Sequence, residues 1–279
     1  MNVAYFPGCS AHAMAREYDR SARMVCNDLG VNLEEVTDWN CCGATAAHCL
    51  DHELMLGLGG RNLATVHRMG FDKVVTPCSG CFNQLKTTGF ELKSSKTPRR
   101  DIPRVMHLLQ FLTEEIGLDR LADLVVRPVR RLKVAAYYGC LITRPRKIAE
   151  FDDPEQPSSM DRILTSIGAR TVKWSHKAEC CGGGFAASET SIVIDLAGQV
   201  LEAARQAGAE AIVAACPVCQ LNLDSRQKSI EEERGTIYGL PVIYFTQLIA
   251  LAFGHPVRKT GLRRLMVSAL PLLERTGLV

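Results

Sequence analysis

The segments KVVTPCSGC (residues 73–81) and AIVAACPVC (residues 211–219) each carry a short apolar run into two cysteines separated by two residues. Short runs rich in β-branched residues are typical of buried strands. A Cys-x-x-Cys pair directly after such a strand predicts a turn followed by a helix, and Pro217 suits the first position of that helix. The same strand–turn–helix unit is therefore predicted twice, with thiols at the turn.

Other cysteines show that this unit belongs to a longer repeat. A Cys-Cys-Gly triplet stands upstream of each pair, in NCCGATAAHC (residues 40–49) and ECCGGG (residues 179–184). A single cysteine ends two further matching segments, VAYFPGC (residues 3–9) and VAAYYGC (residues 134–140). An internal duplication is the simplest explanation for matches in the same order.

Each repeat predicts the same order of strands and helices. In the first repeat, short strands are expected at residues 3–6, 32–36 and 73–76, and one long helix is expected from about Ala46 to Met69. Strands that alternate with helices form βαβ units and a parallel sheet. The predicted fold class is therefore α/β, with two duplicated Rossmann-like half-domains that each contain a short parallel sheet.

The duplication also predicts where the chain divides. The second copy is the longer one, and its extra residues are expected in the polar, proline-containing segment that follows Cys140. We assign residues 1–125 to a first half-domain and residues 126–279 to a second one. These two units are called the first half and the second half below.

The composition restricts the class of protein. The chain has 279 residues, of which 47% are hydrophobic and 23% charged, and its net charge of +3 is too small to favour nucleic-acid binding. The N-terminal segment does not resemble a signal peptide, and no stretch approaches the ~20 apolar residues that span a membrane. We therefore predict a cytoplasmic protein with no membrane span. In that reducing compartment, the twelve cysteines are expected to be metal ligands or catalytic groups rather than disulfide partners.

In each half, five cysteines follow the predicted carboxyl ends of strands. Because parallel strands all end at the same edge of a sheet, the five thiols are expected at one rim, where ligands bind. Helix starts near these cysteines supply free backbone N–H groups, which stabilise anionic sulfur. The first thiol set is Cys9, Cys41, Cys42, Cys78 and Cys81, and the second thiol set is Cys140, Cys180, Cys181, Cys216 and Cys219.

The number of thiols in each set indicates the kind of metal group. A structural zinc ion takes four ligands, and a cubane [4Fe–4S] cluster also takes four. A fifth thiolate favours a larger or less regular iron–sulfur assembly, with zinc at one site as the alternative. A redox-active dithiol would explain only the Cys-x-x-Cys pair and not the other three cysteines.

Beyond the cysteines, several segments resemble the B subunit of heterodisulfide reductase and its CCG-domain relatives. These segments are YFPGCS, DWNCCGATAA, FDDPEQP, ECCGGG and CPVCQLNLDSRQ. The resemblance implies that each five-cysteine set binds one noncubane [4Fe–4S] cluster. It also implies a ferredoxin-like iron–sulfur subunit and a flavin-containing subunit as partners. The implied substrate is a disulfide or thiol, which in methanogens is the mixed disulfide of coenzyme M and coenzyme B.

The implied chemistry is oxidoreduction of a sulfur compound. Cleavage of a disulfide requires two electrons, whereas clusters usually pass one at a time, so two clusters would act in paired one-electron steps. The alternative is an electron-transfer subunit of another CCG-type oxidoreductase, without direct disulfide chemistry. A substrate-facing role predicts a cavity that reaches the metal in both halves, whereas a relay predicts buried metal. A zinc-stapled assembly protein is a third alternative.

A few residues near these sites allow more than one interpretation. Cys26 and Cys49 lie outside the repeated pattern, and both are expected to pack rather than bind metal. His48 follows the first Cys-Cys-Gly, where it is either a proton donor to a departing thiol or, the favoured alternative, a surface residue. Trp174, like the tryptophan before the first triplet, is expected to shield a metal site from water. Arg144 and its basic neighbours are either steering charges for an anionic substrate or solvated loop charges.

Overall fold

The computed structural model describes residues 1–95 and 101–278 as an α/β protein with two parallel sheets. The strands of the first half are β1 (Asn2–Tyr5), β2 (Asn32–Glu35), β3 (Lys73–Thr76) and β4 (Arg104–His107). Those of the second half are β5 (Lys133–Tyr137), β6 (Arg170–Thr171), β7 (Ala211–Ala214) and β8 (Val242–Tyr244).

The two sheets share one topology. The first has the order β2-β1-β3-β4 and the second the order β6-β5-β7-β8, and every strand pair is parallel. The central pairs have equivalent registers, with Tyr5 opposite Val75 in one sheet and the matching residues Ala136 and Val213 opposite each other in the other. The predicted α/β class with two duplicated parallel sheets is confirmed.

Helices connect the strands of both sheets. The first half contains α1 (Gly8–His12), α2 (Arg16–Asp28), α3 (Ala46–Leu50), α4 (His52–Arg68), α5 (Ser79–Ser94), α6 (Leu108–Phe111), a π-helical turn (Leu112–Ile116) and α7 (Leu118–Asp123). The second half contains α8 (Arg146–Ala149), α9 (Ser159–Ser166), a 3-10 turn (Gly183–Phe185), α10 (Thr190–Gln206), α11 (Pro217–Asp224), α12 (Gln227–Arg234), α13 (Phe245–Ala252), α14 (Val257–Thr260), a second 3-10 turn (Leu262–Arg264) and α15 (Leu270–Arg275). Across the described ranges, no helix combines the length and apolar character needed to cross a membrane.

The predicted long helix from Ala46 to Met69 is interrupted. Asp51 is extended, with φ −156° and ψ 121°, and it separates α3 from α4. Its carboxylate accepts a hydrogen bond from the backbone N–H of Leu54 at 2.8 Å. The prediction of one helix was wrong because this aspartate caps a new helix instead of continuing the old one.

The hydrophobic core is shared between the halves. Alternate residues of a strand face opposite sides of its sheet. Val3 and Tyr5 therefore join a large cluster that also contains Val134 and Ala136 from the second half. The intervening strand residues face two smaller clusters, one for each half, on the outer sides of the sheets.

Helices α2 and α13 form much of the contact between halves. The ring of Tyr18 on α2 stacks on Tyr244, which precedes α13, with ring centroids 4.1 Å apart. The hydroxyl groups of Ser21 and Thr246 share a buried hydrogen bond of 2.6 Å. The Tyr18 hydroxyl also donates to the carbonyl of Ala215 at 3.1 Å, next to a predicted metal ligand. The shared core therefore fixes the carboxyl ends of the two sheets relative to each other.

Candidate metal centre

All ten predicted ligands lie on the segments that follow the carboxyl ends of strands. Cys78 and Cys216 are the residues that begin helices α5 and α11, each in an extended conformation directly after a strand. Cys9 lies in the short helix after β1, and Cys140 lies three residues after β5. Because parallel strands end at the same edge of a sheet, cysteines that are distant in sequence lie along one edge, as predicted.

Within the first thiol set, the side chains contact one another in a chain. Cys41 and Cys42 shift each other's pKa, as do Cys42 and Cys81, and Cys78 raises the pKa of Cys81, so these four thiols are close neighbours. Cys9 lies close enough to Cys41 to interact with it electrostatically. The thiols of Cys9 and Cys41 are exposed at the surface, and the other three are buried.

The second thiol set repeats this arrangement with greater burial. The sulfur of Cys181 lies 3.5 Å from that of Cys219, and Cys216 in turn lies close enough to Cys219 to raise its pKa. Cys140 pairs with Cys180, and both are half-buried. Every thiol of this set is therefore more enclosed than Cys9 or Cys41.

One contact joins the two thiol sets across the interface between the halves. The side chains of Cys78 and Cys216, the first cysteines of the two Cys-x-x-Cys pairs, lie close enough to shift each other's pKa, because Cys216 raises the pKa of Cys78 and Cys78 lowers that of Cys216. Both residues are buried. Nothing in the sequence indicated that the two sets would meet, because the repeat shows equivalence of the halves but not their relative orientation.

The surroundings of three cysteines favour the thiolate form. Hydrogen bonds from Cys41 and Cys81 lower the pKa of Cys42 to about 4, and a hydrogen bond from Cys140 lowers the pKa of Cys180 to about 6. Cys219 and Cys78 similarly lower the pKa of Cys216 well below its ordinary value. Thiolates are the forms that bind metals, so these positions are chemically suited to be ligands.

Backbone N–H groups at the turns support the same charge state. The N–H of Gly182 lies 3.3 Å from the sulfur of Cys180, and the N–H groups of Val218 and Cys219 contribute to the lowered pKa of Cys216. Such groups at a helix start have no partner within the helix and can stabilise an anion. This agrees with the expectation from the sequence.

Two glycines make room for sulfur in equivalent places. Gly8 and Gly139 precede the first cysteine of each set, and their φ values are +70° and +68°. A Cβ atom at Gly8 would stand 2.8 Å from the sulfur of Cys81, and one at Gly139 would stand 2.8 Å from the sulfur of Cys219. The backbone therefore approaches sulfur closely in both halves, a feature that the sequence analysis missed although both glycines are visible in the matching segments.

The donor set fits a sulfur-ligated group better than a preformed site for a single ion. In residues 1–95 and 101–278, no three or more His, Cys, Asp or Glu side chains are arranged to hold one metal ion. The thiols instead contact each other in pairs and chains. Cysteine thiolates are the usual ligands of iron–sulfur clusters, and the pKa values of some of these thiols are shifted towards the thiolate, so the chemistry of the donors fits such a group.

A cavity of about 320 Å³ lies between the two halves. All five cysteines of the second thiol set line it, whereas none of the first set does. From the first half, residues of α3, α5 and the loop before α3 complete the wall, among them His48, Ser79 and Gln84. Because the five thiols of the second set form its wall, this cavity is the space that a group bound by that set would occupy.

The remaining sequence predictions have mixed outcomes. Cys26 is fully buried in the shared core, and burial raises the pKa of its thiol to about 12, so its predicted packing role is confirmed. Cys49 is exposed on α3, so the expectation that it packs was wrong. The reason is that Cys49 lies on the exposed side of α3, together with His48 and Leu50, whereas Ala47 is buried. His48 is exposed and also borders the cavity, whereas His52 bonds Glu91 at 2.8 Å.

The two tryptophans pack beside the thiol sets. Trp174 is buried in a cluster that includes Cys181, and its indole N–H donates to the carbonyl of Ala136 at 3.2 Å. Trp39 is half-buried against the corresponding cluster of the first half, with its ring edge to Phe6. Both positions agree with shielding of the thiols from water.

The basic residues after Cys140 do not border the cavity. The guanidinium of Arg144 donates to the carbonyls of Pro154 and Ala178 and to the carboxylate of Glu155, so it fixes the loop rather than facing a ligand. The ammonium of Lys147 lies over the ring of Phe90, 4.8 Å from its centroid. Steering of an anionic substrate into this cavity by Arg144 therefore has no support in the geometry.

A family model described as the CCG cysteine-rich domain matches residues 3–86 and again residues 134–224. The chain belongs to the CCG cysteine-rich domain family. Each matched segment of this CCG-domain chain contains one complete thiol set. The two matches also agree with the duplicated sheets, which supply an equivalent framework for each set.

Several named relatives match this CCG-domain chain over nearly its full length. The 8-methylmenaquinol:fumarate reductase membrane anchor subunit of Wolinella succinogenes is 30% identical, and the match covers 96% of this chain and 98% of the relative. The B subunit of the ferredoxin/F(420)H(2)-dependent CoB-CoM heterodisulfide reductase of Methanosarcina acetivorans is 28% identical, with 98% and 96% covered.

A solved structure shares the fold of this CCG-domain chain. The crystal structure of a hypothetical protein from Helicobacter pylori aligns with a TM-score of 0.74 at 14% sequence identity. The alignment covers 96% of this chain and 52% of the other, so the chain spans about half the length of that protein.

Proposed function

We propose that this protein is the iron–sulfur B subunit of a heterodisulfide reductase-type oxidoreductase complex. Each thiol set would hold one noncubane [4Fe–4S] cluster through its five cysteines, and the complex would cleave or form a disulfide or thiol substrate. The observation that carries this proposal is that two complete five-thiol sets approach each other across the interface between the halves, where Cys78 and Cys216 shift each other's pKa.

The relatives support the same class of complex. A further relative, from Methanosarcina mazei, is named as the B subunit of a ferredoxin:CoB-CoM heterodisulfide reductase and is also 28% identical over nearly the full length. On the basis of these names, we also propose that a ferredoxin-like iron–sulfur subunit and a flavin-containing subunit are partners of this protein. The exposed thiols of Cys9 and Cys41 leave the first set near the surface, where a partner can approach. The cytoplasmic location stays a prediction.

When bound, the two clusters would supply one-electron transfer, and two electrons are what cleavage of one disulfide bond requires. The protein contributes the arrangement around them. Buried Cys78 and Cys216 bring the two sets close together, Trp174 packs beside the second set, and the cavity between the halves leaves room for the group that this set would hold.

The cluster content tests this proposal. We expect protein produced and purified without oxygen to contain about eight iron and about eight acid-labile sulfide per chain, the content of two [4Fe–4S] clusters. Cys42→Ser and Cys181→Ser should each alter the spectrum of one cluster, because each removes a ligand from one set. Cys49→Ser is the matched control, since Cys49 is exposed and lies outside both sets. About four iron per chain, or one zinc in place of a cluster, would refute the two-cluster assignment.

An electron-transfer subunit of another oxidoreductase is the second candidate function. It is favoured by the relative from Wolinella succinogenes, whose name is that of a fumarate reductase subunit. Addition of small thiols to the oxidised protein distinguishes the two functions. A protein that acts on sulfur compounds should show a thiol-dependent change in the cluster spectrum, and a pure relay should show none.

A further inference from the structure

A strip of basic side chains lies along helix α2, and none of them lines the cavity between the halves. His255 pairs with Asp28, the last residue of α2, at 2.6 Å. Further along the chain, a Cβ atom at Gly261 would meet Glu17, which lies near the start of α2. The segment 255–264, which includes α14, therefore runs antiparallel to α2. The exposed cations of these two segments form one surface, called the basic strip below: Arg16, Arg20, Arg258, Lys259, Arg263 and Arg264.

The charge of the basic strip is not balanced by acidic neighbours. Within residues 1–95 and 101–278, none of its six cations has an ion-pair partner. The nearby carboxylates are already engaged, because Asp19 pairs with Arg23 at 3.0 Å and Asp28 pairs with His255. Since like charges on one surface repel each other, a negatively charged partner would stabilise the strip.

Two exposed methionines border the basic strip. Met14 precedes Arg16 by two residues and is 51% exposed, and Met266 follows Arg264 by two residues and is 72% exposed. Arginine and methionine are both enriched in protein–protein interfaces relative to the rest of the surface. The combination therefore favours a protein-binding surface over a run of solvated charges.

The basic strip begins beside the first thiol set. The Nε atom of Arg16 donates to the carbonyl of His12 at 2.9 Å. His12 is the last residue of α1, the short helix that also carries the exposed Cys9. A partner bound to the strip would therefore lie next to an exposed thiol of the first set.

Glu17 connects the strip to the place where the two thiol sets approach each other. Burial raises the pKa of Glu17, and Arg264 and Arg20 lie close enough to oppose that rise. Burial also raises the pKa of Tyr244, and Glu17 adds to this rise, as do the two cysteines at which the sets approach each other. One aromatic side chain thus lies between the acid beneath the strip and both thiol sets.

We propose that the basic strip is the docking surface for the ferredoxin-like iron–sulfur subunit, which presents an acidic face rich in Asp and Glu. One electron passes from the reduced partner to the group held by this chain, with no bond made or broken. This inference rests on the proposed function and deepens it, because it names the surface that binds the partner and the charge of the partner's own surface.

Binding of an acidic [2Fe–2S] ferredoxin to the full, cluster-loaded chain tests the inference. Isothermal titration calorimetry measures the dissociation constant without depending on catalytic turnover. We expect the ferredoxin to bind in about 20 mM salt and to bind about 10-fold or more weakly in about 300 mM salt, because salt screens attraction between exposed charges.

Charge reversal assigns the binding to the strip. The double variants Arg263→Glu with Arg264→Glu and Arg258→Glu with Lys259→Glu should each weaken binding about 10-fold or more in the low-salt buffer. Circular dichroism and iron content should stay unchanged, since these side chains are exposed. Arg130→Glu with Arg131→Glu is the matched control. This exposed pair precedes β5, at the amino end of its sheet, and the variant changes the net charge equally but should bind like the wild type.

Three outcomes would overturn the inference. They are ferredoxin binding that does not depend on salt, an equal loss of binding in the control variant, and no binding of ferredoxin at all. In the last case, binding of the chain to vesicles that contain phosphatidylglycerol would assign the strip to a membrane surface instead. The proposed function is judged separately by the iron and sulfide content of the same preparation. A chain with two clusters that fails these titrations would lose the docking surface and keep the cluster assignment.

Discussion

At the scale of single residues, the two halves match most closely where the backbone approaches a cysteine sulfur. Gly8 and Gly139 have the same left-handed backbone and the same 2.8 Å clearance to a cysteine sulfur. The surrounding sequence differs much more, as the pairing of Ser79 with Pro217 shows. Only glycine fits at Gly8 and Gly139, because a larger residue would meet sulfur. The positions of Ser79 and Pro217 accept different residues in the two halves.

Gly139→Ala should impair the second site selectively. A methyl group there meets the sulfur of Cys219, and a sulfur held by a metal cannot move aside. We expect the iron content to fall from about eight to about four per chain, while the first cluster keeps its spectrum.

Gly208→Ala separates this effect from backbone strain. Gly208 has a similar φ of +73°, but no described atom lies within 4 Å of the added Cβ. Its replacement should cost about 1 kcal/mol of stability and leave the iron content unchanged. Equal iron loss in both variants would show that strain, and not contact with sulfur, is responsible.

At the scale of secondary structure, the last strand of each sheet passes into a helix through a capping side chain. His107 ends β4 and begins α6, where its Nδ1 atom accepts a hydrogen bond from the N–H of Leu109 at 3.1 Å. Its Nε2 atom lies 3.1 Å from the carbonyl of Pro77, to which the neutral ring donates. Tyr244 has the same place before α13, and its backbone N–H donates to the side-chain oxygen of Gln247 at 3.0 Å.

This histidine predicts a dependence of stability on pH. Burial lowers the pKa of His107 to about 4, so the folded protein keeps the ring neutral where the unfolded chain, with a pKa near 6.5, already binds a proton. Stability is therefore fully present above pH 6.5 and is lost as the pH falls towards 4. Between pH 7.5 and 5.5 we expect a loss of about 1.4 kcal/mol from this residue, measured by urea denaturation.

His107→Gln is the control for this prediction, because buried carboxyl groups also titrate in the acidic range. Burial raises the pKa of Glu17 and of Asp224, and raised carboxyl pKa values act in the opposite direction. The difference in pH dependence between the wild type and the variant isolates the contribution of His107. The assignment would be wrong if the two proteins lost the same stability over this range.

At the scale of the whole molecule, the two halves are joined by a core that neither could complete alone. The shared cluster includes strand and helix residues from both halves, and the Ser21–Thr246 hydrogen bond lies inside the interface. The boundary between residues 125 and 126 stays a prediction from the repeat. A shared core of this kind should make the halves unfold together.

The two tryptophans test this cooperativity, because each half contains one. In Trp174→Phe only Trp39 fluoresces, and in Trp39→Phe only Trp174 does. We expect each fluorescence transition in urea to coincide with the loss of helical circular dichroism in the same variant. A fluorescence midpoint that departs from the circular dichroism midpoint in either variant would show that one half unfolds by itself.

Much of the fold could be predicted, and the errors have local causes. Strand patterns and turn residues predicted both parallel sheets and assigned the ten thiols to strand ends, because these features depend on short-range geometry. The interruption at Asp51 was missed because the hydrophobic periodicity of the sequence does not show where a side chain ends one helix and caps the next. Cys49 is exposed because it lies on the same side of α3 as His48 and Leu50.

The sequence by itself determined that this protein repeats one α/β unit and that each copy carries five thiols at the edge of a sheet. Those conclusions need only the order of residues and the rule that parallel strands end at a common edge. The tertiary structure decided that the two sets meet at Cys78 and Cys216 and that the cavity opens on the second set. The relative orientation of the halves depends on how their apolar faces pack into one core. A sequence repeat shows that the halves are alike but does not determine that packing.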